Sequence, residues 1–296
     1  MRFLIAESEP PEAREARRNS VGKSSGETYI EMLNDLAPGA TCDRAKPADE
    51  DTDPMTVEAI AGYDAVFLTG SPLHIYDSTP EAEREIDFMR RVFASGTPSF
   101  GSCAGLQVAA AAAGGKVREM EKRQEAGFAR RITLTDAGRD HPLLRGRPAA
   151  FDAPAIHGDE VAELPPGATL LAGNTVTAIQ AAEIRYDQSI FWGVQYHPEL
   201  SLAEIAAALR RQSDDLIEQG LARCFADIDS IAASIDDFDR EPERADLAWR
   251  LGLDRQVSDV DLRRTEIRNF VELLVRPVMA ERGRSGCEAA DESLAA

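Results

Sequence analysis

Phe100-Gly101-Ser102-Cys103-Ala104-Gly105 sets a cysteine at the junction of a short apolar strand and a helix of small residues, and few folds accept such a junction. The strand reads as Pro98 to Gly101. The helix reads as Leu106 to Ala113, closed by Gly114-Gly115. A nucleophile on so sharp a turn needs small neighbours, because its backbone is strained and crowded by both elements. Gly101, Ala104 and Gly105 supply them, and the helix N-terminus that follows favours negative charge on the sulfur. Taken alone, the hexapeptide also suits a buried structural cysteine in a Gly-rich turn.

The rest of the first two hundred residues alternates strands with helices. Arg2 to Ala6 and Tyr63 to Thr69 are apolar strands, the second broken by Gly70-Ser71-Pro72. Thr28 to Leu36 has helical spacing at Tyr29, Met32, Leu33 and Leu36, and Glu81 to Phe93 turns Ile86, Met89 and Phe93 to one side. Pro10 to Gly26 is charged and poor in apolar residues, which predicts a loop or surface segment. Further strands are expected at Arg131–Thr135, Thr169–Leu171, Thr177–Ile184 and Ile190–Gln195. The pattern predicts a doubly wound α/β sandwich on a mostly parallel sheet, with an antiparallel portion later in the chain. Sites in such sheets gather at the carboxyl ends of the strands, and Ser71, Cys103 and His197 all follow strand ends.

Gly193-Val194-Gln195-Tyr196-His197-Pro198-Glu199 supplies partners for the cysteine. His197 ends a strand, Pro198 fixes the turn, and Glu199 lies two residues on, so both side chains can face one way. A thiol nucleophile needs a base, and the base needs a carboxylate to hold its tautomer. His157 reads as a structural or wall residue, His141 before Pro142 as a turn, and His74 as a rim or surface-loop residue. Tyr76 and Asp77 read as a turn.

The chain resembles the class I, triad-type glutamine amidotransferases, and in particular the glutaminase domain of the GMP-synthase type. Gly101-Ser102-Cys103-Ala104-Gly105-Leu106-Gln107 matches the family elbow G-[IV]-C-[YL]-G-x-Q, and Gly193 to Glu199 matches G-V-Q-[FY]-H-P-E. Between them, His157-Gly158-Asp159-Glu160-Val161, Leu164-Pro165-Pro166-Gly167 and Asn174 are similar to the family's H-x-D-x-V…L-P-x-G…N run. Thr69-Gly70-Ser71-Pro72 stands where the family has S-G-G-P, so Ser71 replaces a glycine, and Ala104 replaces a larger residue beside the nucleophile.

This resemblance implies that Cys103 attacks the side-chain amide of glutamine to give a γ-glutamyl thioester and ammonia, with His197 as base and Glu199 orienting it. It implies an oxyanion hole from the backbone N–H groups of Ser71 and Ala104, each donor worth roughly 3–4 kcal/mol. Gly70, Gln107, Gly158 and Asp159 would contact the substrate. It implies no metal and no organic cofactor. Ammonia would pass to an acceptor or a synthetase subunit. A γ-glutamyl peptidase or γ-glutamyl-amine hydrolase with the same triad, and an inactive regulatory relative, are the alternatives; Ala104 leaves room for a substituent on the γ-amide nitrogen.

The resemblance covers roughly residues 1–205. Residues 206–296 read as a helical C-terminal extension, opened by the capping box Ser201-Leu202-Ala203-Glu204. Its strongest helix is expected over about 258–279, with Ile267, Phe270, Val271, Leu274 and Val278 on one face, ended or kinked by Pro277. That face needs cover from the catalytic domain or from a second chain, which makes a homo-oligomer one expectation. A formal net charge of −19 with no basic cluster argues against nucleic acid and anionic membrane. The N-terminal apolar run is too short for a signal peptide, and no stretch reaches a membrane span. Cys42, Cys224 and Cys287 form no C-x-x-C pair with one another or with Cys103 and read as passive thiols in a reducing compartment, so a cytoplasmic protein is expected.

Overall fold

Alternation along the first strand decides the layering of the molecule. In β1 (Arg2–Ala6) Phe3 and Ile5 face one side, and Leu4 and Ala6 the other, all buried. Both faces of this strand must therefore be covered. The computed structural model describes residues 1–121 and 124–283. Its remaining strands are β2 (Thr41–Ala45), β3 (Ala65–Leu68), β4 (Ser99–Ser102), β5 (Lys116–Glu119), β6 (Glu125–Leu134), β7 (Ala150–His157), β8 (Asp159–Glu163), β9 (Ala168–Gly173), β10 (Ala181–Tyr186) and β11 (Ser189–Val194). Nine of the eleven strands form one sheet in the order β2-β1-β3-β4-β11-β10-β9-β6-β7, and β5 pairs with β8 in a separate ribbon. From β2 to β11 the pairs are parallel, and from β11 to β7 antiparallel. This is the expected α/β sandwich with its late antiparallel portion.

In chain order the α-helices up to residue 270 are α1 (Pro11–Val21), α2 (Ser25–Leu36), α3 (Val57–Ala61), α4 (Pro80–Ser95), α5 (Ala104–Ala112), α6 (Asp136–Asp140), α7 (Leu202–Arg211), α8 (Ser213–Glu218), α9 (Phe225–Arg240), α10 (Ala245–Leu251), α11 (Arg255–Ser258), α12 (Val260–Arg263) and α13 (Thr265–Phe270). On one sheet face α4 and α5 pack Phe88, Met89, Val92, Phe93 and Leu106 against Leu4, Val66, Leu68 and Phe191. On the other, Tyr29, Met32 and Leu33 of α2 join Phe3, Phe67, Phe100 and Trp192.

Two local expectations fail for physical reasons. Pro10 to Gly26, expected as a loop or surface segment, is helix α1 and the start of α2. The inward residues of α1 are Arg14 and Arg17, which reach Glu7 at 3.2 Å, Asp49 at 2.8 Å and Glu204 at 2.9 Å. A helix that buries ion pairs instead of an apolar stripe has no hydrophobic period to read. The single long helix expected over 258–279 is instead α11, α12 and α13, followed by a π-helical turn at Val271–Val275 that runs into helix over 276–283. Pro277 does not end it. The N–H of Arg276 reaches back five residues to Val271 O, and this widened turn lies where the proline ring would meet the preceding carbonyls.

The apolar face of that segment is covered by the sheet. Ile267, Phe270, Val271, Leu274 and Val275 lie in the same core as Phe3 and Phe67. Phe270 meets Phe67 edge-on at 5.3 Å and Phe100 at 5.6 Å. A third core, under α7 and α9, is closed by Ile205, Leu209, Ile228, Ile235 and Phe238. The capping box at Ser201 and Glu204 is formed in both directions.

Candidate active site

Three adjacent parallel strands carry the three motifs to one place. Leu68 of β3 is in register with Gly101 of β4, and Ser102 of β4 with Val194 of β11. The chain beyond each strand therefore emerges side by side, and Gly70, Cys103 and His197 converge at the carboxyl edge. Cys103 turns between β4 and α5 with φ 53° and ψ −111°, a conformation strained for any residue with a side chain. Its N–H is held by Val194 O at 2.8 Å. The turn is possible because strand and helix nearly touch: a Cβ on Gly101 would fall 2.7 Å from the Gly105 carbonyl carbon, and one on Gly105 would fall 2.7 Å from Leu68 O.

His197 is anchored through its N–H to Pro154 O at 2.8 Å, and Nδ1 meets Glu199 Oε1 at 2.7 Å. All three of Cys103, His197 and Glu199 are buried. Burial pulls the His197 pKa down, but the charges of Glu199 and Cys103, with hydrogen bonds to both, outweigh it and hold the pKa up at about 10. The imidazolium is thus held between the Cys103 sulfur and the Glu199 carboxylate. Glu199 Oε1 accepts a second hydrogen bond from Ser102 Oγ at 3.0 Å, and Ser102 Oγ lies 2.7 Å from Tyr29 OH.

The expected substrate contacts divide. Gly70 is packed against the imidazole of His197, since a Cβ there would fall 2.8 Å from Cε1. Ser71 keeps a negative φ and spends its side chain on structure, donating to Ser8 O at 2.8 Å and accepting from Leu73 N–H at 3.2 Å. Ala104 opens α5 beside the thiol. Gln107 Nε2 donates to Asp159 O at 3.1 Å and to Gln195 Oε1 at 3.3 Å, which ties the elbow helix to the Gly158-Asp159 loop. Asp159 itself is clamped from outside, by His74 Nδ1 at 2.8 Å and Tyr76 OH at 3.2 Å. His74 thus stands at the rim, and Tyr76 does more than make a turn.

His157 belongs to the structure behind that loop. Its Nε2 meets Glu125 Oε2 at 3.1 Å, and Asn174, Thr177 and Gln180 also donate to Glu125. Sequence reasoning missed Tyr29, Ser102 and Glu125. Only Ser102 left a signal, as a hydroxyl in a motif slot where a branched aliphatic is usual. Cys42 is half-buried and Cys224 exposed, both free, while Cys287 lies outside the described residues. Among the described residues no cluster of three His, Cys, Asp or Glu could hold a metal, and no helix is long and apolar enough to cross a membrane.

A strained cysteine at the carboxyl edge of a doubly wound sheet, backed by a His–Glu pair, defines a thiol hydrolase or transferase of the α/β class. The family model of class I glutamine amidotransferases matches residues 38–213. A γ-glutamyl-L-1-hydroxyisopropylamide hydrolase of a Pseudomonas species is 35% identical over 282 residues, 94% of each chain. The GMP synthase of Thermomicrobium roseum is 35% identical over 49% of this chain and 25% of its own length, and that of Porphyromonas gingivalis is 29% identical over 76% and 42%. This chain thus spans less than half of either synthase. Among solved structures, a glutamine amidotransferase from Thermotoga maritima shares the fold with a TM-score of 0.63 at 17% identity, covering 92% of this chain and 98% of that one. The protein belongs to the class I glutamine amidotransferase family, and it is a cysteine enzyme of amide C–N cleavage.

Proposed function

We propose that this protein hydrolyses γ-glutamyl amides, including amides substituted on nitrogen, through a thioester on Cys103 with water as the final acceptor. The observation that carries this reading is the match to an amide hydrolase over 94% of both chains, C-terminal helices included, where the GMP synthases match only in part. In the first step the Cys103 sulfur attacks the γ-carbonyl carbon. The oxyanion that forms meets the N–H groups of Ser71 and Ala104. His197, already protonated, gives its proton to the leaving nitrogen, and ammonia or the amine departs. Water then attacks the thioester, His197 takes its proton, and glutamate leaves as Cys103 is regenerated. Glu199 holds the imidazole throughout and breaks no bond. Gly70, Gln107, Gly158 and Asp159 frame the glutamyl end, and Ala104 leaves space beside the leaving nitrogen.

A second reading, in which ammonia passes to a synthetase subunit, is favoured by the partial match to GMP synthases. One experiment separates them. Purified protein is offered glutamine, γ-glutamyl dipeptides and γ-glutamyl alkylamides, and ammonia, amine and glutamate are measured. Faster amine release from alkylamides than ammonia release from glutamine is expected. Turnover of glutamine alone, stimulated by an added synthetase, would replace the first reading with the second.

A further inference from the structure

We propose that Tyr29 and Ser102 form a positioning relay that fixes Glu199 behind His197. The inference rests on the reading of Cys103, His197 and Glu199 as a working triad, and it adds two residues to that machinery. Ser102 has one hydroxyl proton, and the 3.0 Å contact directs it to Glu199 Oε1. Its oxygen can then only accept from Tyr29 OH, 2.7 Å away, so the proton order runs Tyr29 to Ser102 to Glu199. Tyr29 keeps its proton because burial, and then the charge of Glu199, push its pKa well above the ordinary value.

The arrangement answers a specific electrostatic need. Glu199 is buried, and its Oε2 has no protein partner among the described residues. With His197 as sole donor, an ionised carboxylate in that place would be poorly compensated. The relay adds a polarised donor to the same oxygen that holds the imidazole, which compensates the buried carboxylate and fixes its rotamer. The titratable groups facing this unit are Cys103 on the elbow, His197 on the strand-end turn and Tyr29 on α2. Placing a hydroxyl at position 102 has a cost, since that side chain is fully buried between strand and helix. Its partner comes from α2, an element outside both sequence motifs, and all of Tyr29 is buried with it.

The test is a double-mutant cycle of Ser102→Ala and Tyr29→Phe, read as the pH profile of kcat/KM for ammonia release from glutamine and of Cys103 alkylation by iodoacetamide. Circular dichroism and unfolding midpoints confirm that each variant is folded. Loss of a hydrogen bond to a charged group predicts that Ser102→Ala moves the acid limb up by about one pH unit and lowers kcat about tenfold, with KM little changed. Tyr29→Phe moves the limb the same way by less. The double variant matches Ser102→Ala alone, because the relay is already cut. An acid limb in Ser102→Ala at the wild-type position, or independent additive losses from the two substitutions, overturns the relay while leaving the thioester reading in place. Wild-type protein that neither turns over glutamine nor alkylates at Cys103 overturns the reading beneath it.

Discussion

Position 103 combines a backbone conformation that most residues avoid with a thiol that faces His197, and single substitutions there separate geometry from chemistry. Cys103→Ala is expected to abolish turnover and covalent labelling by a glutamine-like diazo-ketone; labelling of the variant at the wild-type rate would remove Cys103 from the mechanism. His197→Asn should cost several orders of magnitude in kcat, and Glu199→Gln less, because in the proposed mechanism the carboxylate orients the imidazole and makes no bond to substrate. Glu85 tests a different kind of burial. Burial raises its pKa to about 7 against the opposing hydrogen bond from Ser8 Oγ, so the fold accommodates the protonated carboxyl best. Its contribution is complete below about pH 4.5 and is lost as pH rises through about 7. Glu85→Gln should therefore gain roughly 1–3 kcal/mol over wild type at pH 8 and little at pH 4.5. Urea unfolding at the two pH values measures it, and equal differences at both would reject the assignment.

At the scale of elements, the C-terminal helices are joined to the sheet through charge as well as packing. Glu266 of α13 is fully buried and accepts from Arg147 Nε at 2.7 Å and Nη2 at 2.8 Å. It also accepts from Tyr196 OH at 2.9 Å, and Tyr196 immediately precedes His197. We propose that the catalytic portion to about residue 205 and the helical portion after it fold as one cooperative unit, although their sequences differ in character. Arg147→Met would strand Glu266 without its cation and should cost about 3–5 kcal/mol, with loss of activity through the His197 strand. Limited proteolysis gives the complementary measurement. A fragment ending near residue 210 would expose Phe67, Phe100 and Trp192, so it is expected to aggregate. An active, monomeric fragment of that length would show the extension to be separable.

For the whole molecule, the sequence by itself determined the layered α/β architecture, the elbow at Cys103 and the partnership of His197 with Glu199. These are local facts: apolar strands, small residues around a tight turn, and two groups set two residues apart by a proline. The first strand and the helices flanking the elbow were legible for the same reason. Tertiary structure alone decided three other things. It made α1 a helix, because Arg14 and Arg17 find buried acids up to 187 residues away along the chain. It carried Tyr29 to Ser102, a meeting of α2 with β4 that no spacing encodes. It also closed the sheet with Phe270 and Glu266 from the far end of the chain. A buried polar contact is satisfied by whichever partner the fold brings within about 3 Å. Periodicity reports only that a face is apolar, never which distant hydroxyl or carboxylate will complete a site.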